Sequence, residues 1–331
     1  MLLGGLLILL IVRLCTMPFA AASEAIRRDV GLSTRSWQAW AIDVAKGFGI
    51  TSALTLTALL VLVVLARRFP TWWWAIGAIG GALLVVVVSF GYPVIVEPIF
   101  NRFTPMADGQ LRTSLLELAA RDGVPVDDVL VADASRRTSS LNAYVSGFGS
   151  TRRIVVYDTL LDRANDGEIR SVVAHELGHA KENDVLTGTL LGALGAAVVV
   201  TALSLVLSWT PLLRHSGVSG IGDGRVVALL LALIAVTSLL TTPLQSWASR
   251  RIEARADVHA LELTRDPTTF TQMQRRLALA SKADLTPNPI SSALFGTHPT
   301  TAQRMATARA WAMNNDVPVP PPLVPEASSQ P

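Results

Sequence analysis

Two histidines four residues apart with a glutamate between them, His175-Glu176-Leu177-Gly178-His179, are the residues of this 331-residue chain best suited to do chemistry. On an α-helix, positions four apart share a face, so both imidazoles can reach one metal ion. Glu176, one step round the helix from His175, can reach a water on that ion and act as its general base. The spacing is that of a zinc hydrolase, and it runs directly into an apolar stretch long enough to cross a membrane. Glu176 could instead be an ordinary helix surface charge, a role its flanking histidines argue against.

Zinc hydrolases usually take three protein ligands and leave one position for water. Cys15 is the only cysteine, so neither an intrachain disulfide nor a thiolate cluster can form, and the remaining ligand must be histidine or carboxylate. The chain has five histidines, at 175, 179, 215, 259 and 298. The segment Ser249-Arg250-Arg251-Ile252-Glu253-Ala254-Arg255-Ala256-Asp257 offers two carboxylates four apart on one helix face. Glu253 is assigned as third ligand, and Asp257 as the acceptor that takes the other ring N–H of His175 and so orients it. The bland alternative is a solvated amphipathic helix in which these carboxylates pair with arginines. His259 is a rival ligand but is turned far off the Glu253 face; Glu182 and Glu262 are weaker rivals for similar reasons.

The elements that must position these groups are mostly membrane helices. The chain is 50% hydrophobic and only 16% charged, with the apolar residues in runs and a mean hydropathy of +0.44. Five stretches approach the ~20 residues a helical span requires, over residues 1–22, 47–66, 72–98, 186–208 and 226–244. The first ends in Pro18-Phe19-Ala20-Ala21-Ala22-Ser23, which is similar to a signal-peptidase site. It lacks a charged leading region and carries Arg13 mid-run, so a span is the preferred reading. Trp72, Trp73 and Trp74 read as an interfacial belt, and Gly77, Gly80 and Gly81 as close-packing positions.

This gives an N-terminal membrane region over 1–98, a catalytic domain in two pieces over 99–185 and 245–315, a membrane hairpin over 186–244 between them, and a disordered tail over 316–331. The hairpin returns residue 245 to the side of residue 185, which is why the third ligand is sought there. Within the first piece, 108–121 has helical spacing, 128–133 and 153–157 are β-branched runs, and 142–146 is a further strand. From Ala164 a single helix is expected through the motif and on into the fourth span, its start favoured by Asp166 and Glu168. The net charge of +3 carries no basic patch with interleaved aromatics, which argues against nucleic acid. Lys and Arg near span ends favour a cytoplasmic catalytic side. No signal bears on oligomeric state.

The two zinc-site segments in this order resemble the type I CAAX prenyl protease family, membrane-embedded zinc metallopeptidases related to the HtpX peptidases. Gly31-Leu32-Ser33-Thr34, Pro98-Ile99-Phe100-Asn101-Arg102-Phe103, Asn142-Ala143-Tyr144, and Thr297-His298-Pro299 with Arg304 agree, so the likeness covers roughly residues 17–311. The fold implied is mainly α: a polytopic α-helical membrane protein with a gluzincin-like zinc-peptidase domain containing a small β-sheet. The resemblance implies one Zn2+ per chain at His175, His179 and Glu253, with Glu176 activating water. It implies substrate binding by Asn142 within Asn142-Ala143-Tyr144, and oxyanion stabilisation by His298. Arg304 reads as structural, pairing with a carboxylate of the catalytic domain. Strand region 142–157 could hold an extended peptide by edge pairing.

Family members carry five spans before the zinc helix and this chain three, so it is either missing two leading helices or a shortened form. The activity expected is a membrane zinc endopeptidase acting on peptide or protein substrates, possible membrane-associated ones included. It would lie in the cell membrane of a bacterium or the endoplasmic reticulum of a eukaryote. The alternatives are an HtpX-like quality-control peptidase and, in a different class, a transporter or scaffold with a structural zinc site.

Overall fold

The computed structural model describes residues 1–321, so most of the stretch expected to be a disordered tail, from 322 onward, lies outside the described residues. In chain order the helices and strands are α1 (Leu2–Asp29), α2 (Trp37–Arg68), α3 (Trp73–Gly91), α4 (Glu97–Phe100), β1 (Phe103–Pro105), α5 (Gln110–Asp122), β2 (Asp128–Ala132), β3 (Ala143–Ser146), β4 (Arg153–Tyr157), α6 (Asp158–Arg163), α7 (Asp166–Lys181), α8 (Asp184–Val206), α9 (Thr210–His215), α10 (Val226–Thr264), α11 (Pro267–Ser281), α12 (Pro289–Phe295) and α13 (Thr301–Asn314). They fall into two compact units. One comprises Met1–Phe100 with Val185–Thr241; the other comprises Asn101–Asp184 with the chain from Thr242 onward.

The first unit is helical and apolar. Among the described residues five helices are long and apolar enough to cross a membrane: α1, α2, α3 with its continuation to Phe100, α8 and α10. Leu10, Val61, Ile79, Leu191 and Leu240 stand exposed along them, as side chains whose partner is lipid must. α1 runs unbroken through Pro18 to Asp29, past the residues that are similar to a cleavage site. Between α3 and α4, Tyr92–Val96 forms a π-turn where Pro93 lacks the N–H of a regular turn. Gly77 and Gly81 do admit close neighbours: a Cβ at 77 would lie 3.1 Å from Leu62 and 3.4 Å from Val200. Gly80 faces open space instead. Trp73 also departs from expectation, because it packs among Leu59, Val63, Leu203 and Leu230 while Trp72 and Trp74 stay exposed.

The turn joining α1 to α2 is built on a buried charge. Glu24 accepts from Ser33 Oγ at 2.6 Å and from Arg35 Nη2 at 2.9 Å, and Arg35 also reaches Asp43 at 3.3 Å. Gly31, at φ +75°, supplies the left-handed step that brings Ser33 back to Glu24.

The second unit holds a four-stranded sheet of order β1-β2-β4-β3. β2 and β4 pair in parallel (Val129 opposite Ile154), β3 pairs antiparallel to β4 (Ala143 opposite Val156), and β1 antiparallel to β2 (Phe103 opposite Ala132). β3 is therefore an edge strand, whereas β4 is enclosed. The edge that could accept a peptide is thus 143–146, not the whole of 142–157. One core joins sheet and helices, with Leu115, Val129, Ile154, Val173, Leu177, Leu261, Phe270 and Trp311 all buried in it.

The expected single helix from 164 to 208 is two helices. α7 opens with a capping box, in which the Asn165 side chain accepts from the Glu168 N–H and Glu168 accepts from the Asn165 N–H, each at 3.0 Å. It ends at Lys181, because Asn183 takes a left-handed conformation (φ 54°) that no continuing helix permits, and α8 restarts at Asp184. α10, by contrast, continues for 39 residues through Pro243 and carries Glu253 and Asp257 on the same helix as the fifth span.

Candidate metal centre

α7 and α10 bring the candidate ligands to one point. His175 Nε2 and His179 Nε2 lie 3.3 Å apart; Glu253 Oε2 is 3.2 Å from the former and Oε1 3.6 Å from the latter. Both imidazoles are oriented from behind by carboxylates. His175 Nδ1 faces Asp257 Oδ1 at 3.0 Å, and His179 Nδ1 faces Asp184 Oδ2 at 2.9 Å. A carboxylate accepts the Nδ1 proton, so each Nε2 is left as the lone-pair nitrogen. When both imidazoles are neutral, two nitrogen lone pairs and a carboxylate converge on one point. Glu253 Oε2 is itself buried, facing the imidazoles of His175 and His298.

Such an arrangement is repulsive unless a metal ion, or in its absence a proton on His175 Nε2, completes it. Ligands about 2.1 Å from a tetrahedral divalent ion stand roughly 3.4 Å from one another, which the three separations match. The residues therefore fit a metal, and all three donors lie within 4.8 Å of one another.

Asp257 is fixed in turn by Arg304, whose Nε donates to Oδ2 at 2.8 Å and whose Nη2 forms a second, shorter bond to Oδ1. Burial alone would depress His175, but its bonds to Asp257 and Glu253 outweigh that and hold its pKa at about 9 in the metal-free protein. Glu176 faces the same cleft, alongside Asn142, Gln274 and Leu277, and accepts no hydrogen bond from the described residues. Burial pushes its carboxyl upward, in the direction a proton-carrying base needs. His298 Nε2 stands 3.4 Å from Glu253 Oε2, with Nδ1 2.9 Å from Thr297 Oγ1, and burial lowers its pKa.

Not every sequence candidate arrives here. Ala143 opens β3 with its side chain buried in the core, and Tyr144 meets the ring of Tyr157 edge-on at 6.3 Å, so of that trio Asn142 alone lines the cleft. His259 turns away to Asp122 at 2.9 Å, and Glu182 lies 4.0 Å from Arg255. Sequence reasoning missed Asp184, which also pairs with Arg255, because the helix break that presents it to His179 was not foreseen. Its signal was an Asn-Asp pair just after the motif.

Comparison with known proteins decides the family. Residues 105–312 match the model of peptidase family M48, and residues 2–102 match that of the CAAX prenyl protease N-terminal region, five membrane helices. The chain belongs to peptidase family M48. This M48 peptidase is 31% identical over 303 residues to the uncharacterized metalloprotease YhfN of Bacillus subtilis, covering 90% of the chain and 71% of that relative. It is 27% identical over 311 residues to CAAX prenyl protease 1 of Saccharomyces cerevisiae, covering 88% and 68%. The crystal structure of S. mikatae Ste24p shares its fold, with a TM-score of 0.81 at 24% identity over 91% of this chain and 74% of that one. The M48 chain is thus a membrane metallopeptidase resembling CAAX prenyl protease 1. Where the N-terminal family model describes five membrane helices, residues 2–102 hold three candidates.

Proposed function

We propose that the metal is zinc, held by His175, His179 and Glu253, and that the protein is an endopeptidase for membrane-associated peptides. Two imidazoles and a carboxylate are a common zinc donor set for hydrolysis. The observation that carries the reading is the convergence of those three donors beside Glu176, whose carboxylate lines the same cleft and accepts no hydrogen bond from the described residues. The ion, when bound, would polarise the scissile carbonyl and acidify an attacking water. Glu176 takes that water's proton and returns it to the leaving amine. His298 donates to the oxygen on which charge develops. Asn142 binds the peptide backbone at the head of β3, whose open edge pairs with the extended substrate.

The Lys and Arg residues near helix ends favour a cytoplasmic catalytic side. The name of the yeast relative points to a prenylated substrate. Peptides differing only in a prenyl group on one cysteine, assayed side by side, test that step.

Glu176→Gln tests the chemistry. The variant keeps wild-type metal content and loses about a thousandfold in turnover. Cleavage at the wild-type rate would remove Glu176 from the mechanism and favour a structural metal site.

A further inference from the structure

Arg250 stands three residues before Glu253 on α10, and the hydrolytic chemistry leaves it without a role. Its guanidinium does not pair with Glu253. Nη1 donates to the carbonyls of Gly296 at 2.5 Å and Ser292 at 3.1 Å, and Nη2 to that of Ala293 at 3.0 Å. These oxygens lie at the C-terminal end of α12, where a helix concentrates negative potential; that of Ser292 also accepts the Gly296 N–H. Gly296 then leads into Thr297, His298 and Pro299, and Thr300 caps α13 through a box with Gln303.

The far side of that link is also tied to α10, because Arg304 of α13 grips Asp257. Arg250, Glu253 and Asp257 lie within about 60° of arc on their helix, as positions i, i+3 and i+7 do. One stripe of α10 therefore carries a brace, a metal ligand and a second brace. The segment bearing His298 is strung between the two braces.

We infer that Arg250 is a positioning residue for His298: by holding the α12 end of the 296–300 link, it keeps the imidazole against Glu253 and the reacting carbonyl. The inference rests on the role proposed above for His298. A planar fork with several donors suits three clustered carbonyls as an ammonium does not.

The test uses the full chain in detergent with a quenched-fluorescent peptide that the wild type cleaves. Arg250→Ala is expected to keep its metal and its KM and to lose about ten- to hundredfold in kcat, the cost of a misplaced donor. The double variant Arg250→Ala with His298→Ala should be no slower than His298→Ala alone, because both changes remove one function. Guanidinium ion in solution should restore part of the rate to Arg250→Ala and none to His298→Ala.

Arg250→Lys, which keeps the charge but loses the fork, should show faster amide exchange over 289–300 and a smaller kcat loss. Multiplying losses in the double variant, or wild-type exchange over 289–300 in both Arg250 variants, overturns the inference. If His298→Ala alone turned over at the wild-type rate, the catalytic role of His298 would fall. Exchange over 289–300 would then decide by itself whether Arg250 holds the link.

Discussion

Gly178 lies against the ring of His259: a Cβ at position 178 would sit 3.0 Å from the imidazole Cδ2 and 3.1 Å from its Cγ. The central glycine of the metal motif thus sets how closely α7 approaches α10, the helix that brings Glu253. His259 cannot step aside, because its Nε2 is held at 2.9 Å by Asp122, which Lys181 binds in turn at 2.7 Å. Gly178→Ala should cost about 1–3 kcal/mol through overpacking. It should also weaken metal binding by spreading the two helices. Thermal unfolding and chelator competition measure the two effects, and unchanged values in both would mean the contact is not a spacer.

Removing the Asp184 carboxylate should loosen His179 without touching a ligand. Asp184→Ala is expected to weaken metal affinity about 10- to 100-fold, as loss of a ligand-orienting carboxylate does. Glu182→Ala, two residues away and on the outer side of the same turn, serves as the control with affinity unchanged. Equal affinities in the two variants would show that His179 does not need its partner.

Metal removal exposes a proton-linked step. The His175 imidazole keeps its proton to about 9 in the folded, metal-free protein, against 6.5 as reference. Its contribution to stability is complete below 6.5 and is lost as pH rises through 9, so the metal-free protein should unfold at progressively lower temperature across that window. Loading the metal at about pH 7.5 must then expel roughly one proton, seen as a dependence of binding heat on the buffer's ionisation enthalpy. Identical heats in buffers of different ionisation enthalpy would contradict the protonated resting state.

The Glu24–Arg35 pair makes a separate prediction for the α1–α2 turn. Glu24 has 2% of its side chain exposed, and Arg35 spans it and Asp43. Arg35→Ala leaves a buried carboxylate unpaired, at a cost of about 3 kcal/mol in detergent-solubilised stability. Adding Glu24→Gln should recover part of that loss. If the double variant were as unstable as the single one, the effect would lie in lost packing, not in stranded charge.

Much of this was readable in the amino-acid order because its signals are periodic and local. Runs of leucine and valine mark the five long helices. A four-residue interval places His175 beside His179, and the hairpin between 186 and 244 says where Glu253 should be sought. What escaped reading depends on single dihedrals or on distant neighbours. Asn183 ends α7 by one left-handed step, and that step alone presents Asp184 to His179. β1 is three residues long and ends in Pro105, too short for alternation to register. Trp73 reads like its neighbours Trp72 and Trp74 until α2 and α8 are seen packed around it. Arg250 had a partner only in the bland alternative of a solvated helix, and the fold alone delivers the α12 carbonyls to it.

The stripe formed by Arg250, Glu253 and Asp257 limits how this stretch of gene can drift. Substitutions on its outer face leave the spacing intact, but inserting or deleting one codon between 250 and 257 rotates everything downstream by about 100° and shifts it 1.5 Å along the axis. Donor and braces would then face different ways. Length, more than side-chain identity, is what descent must preserve in these eight residues.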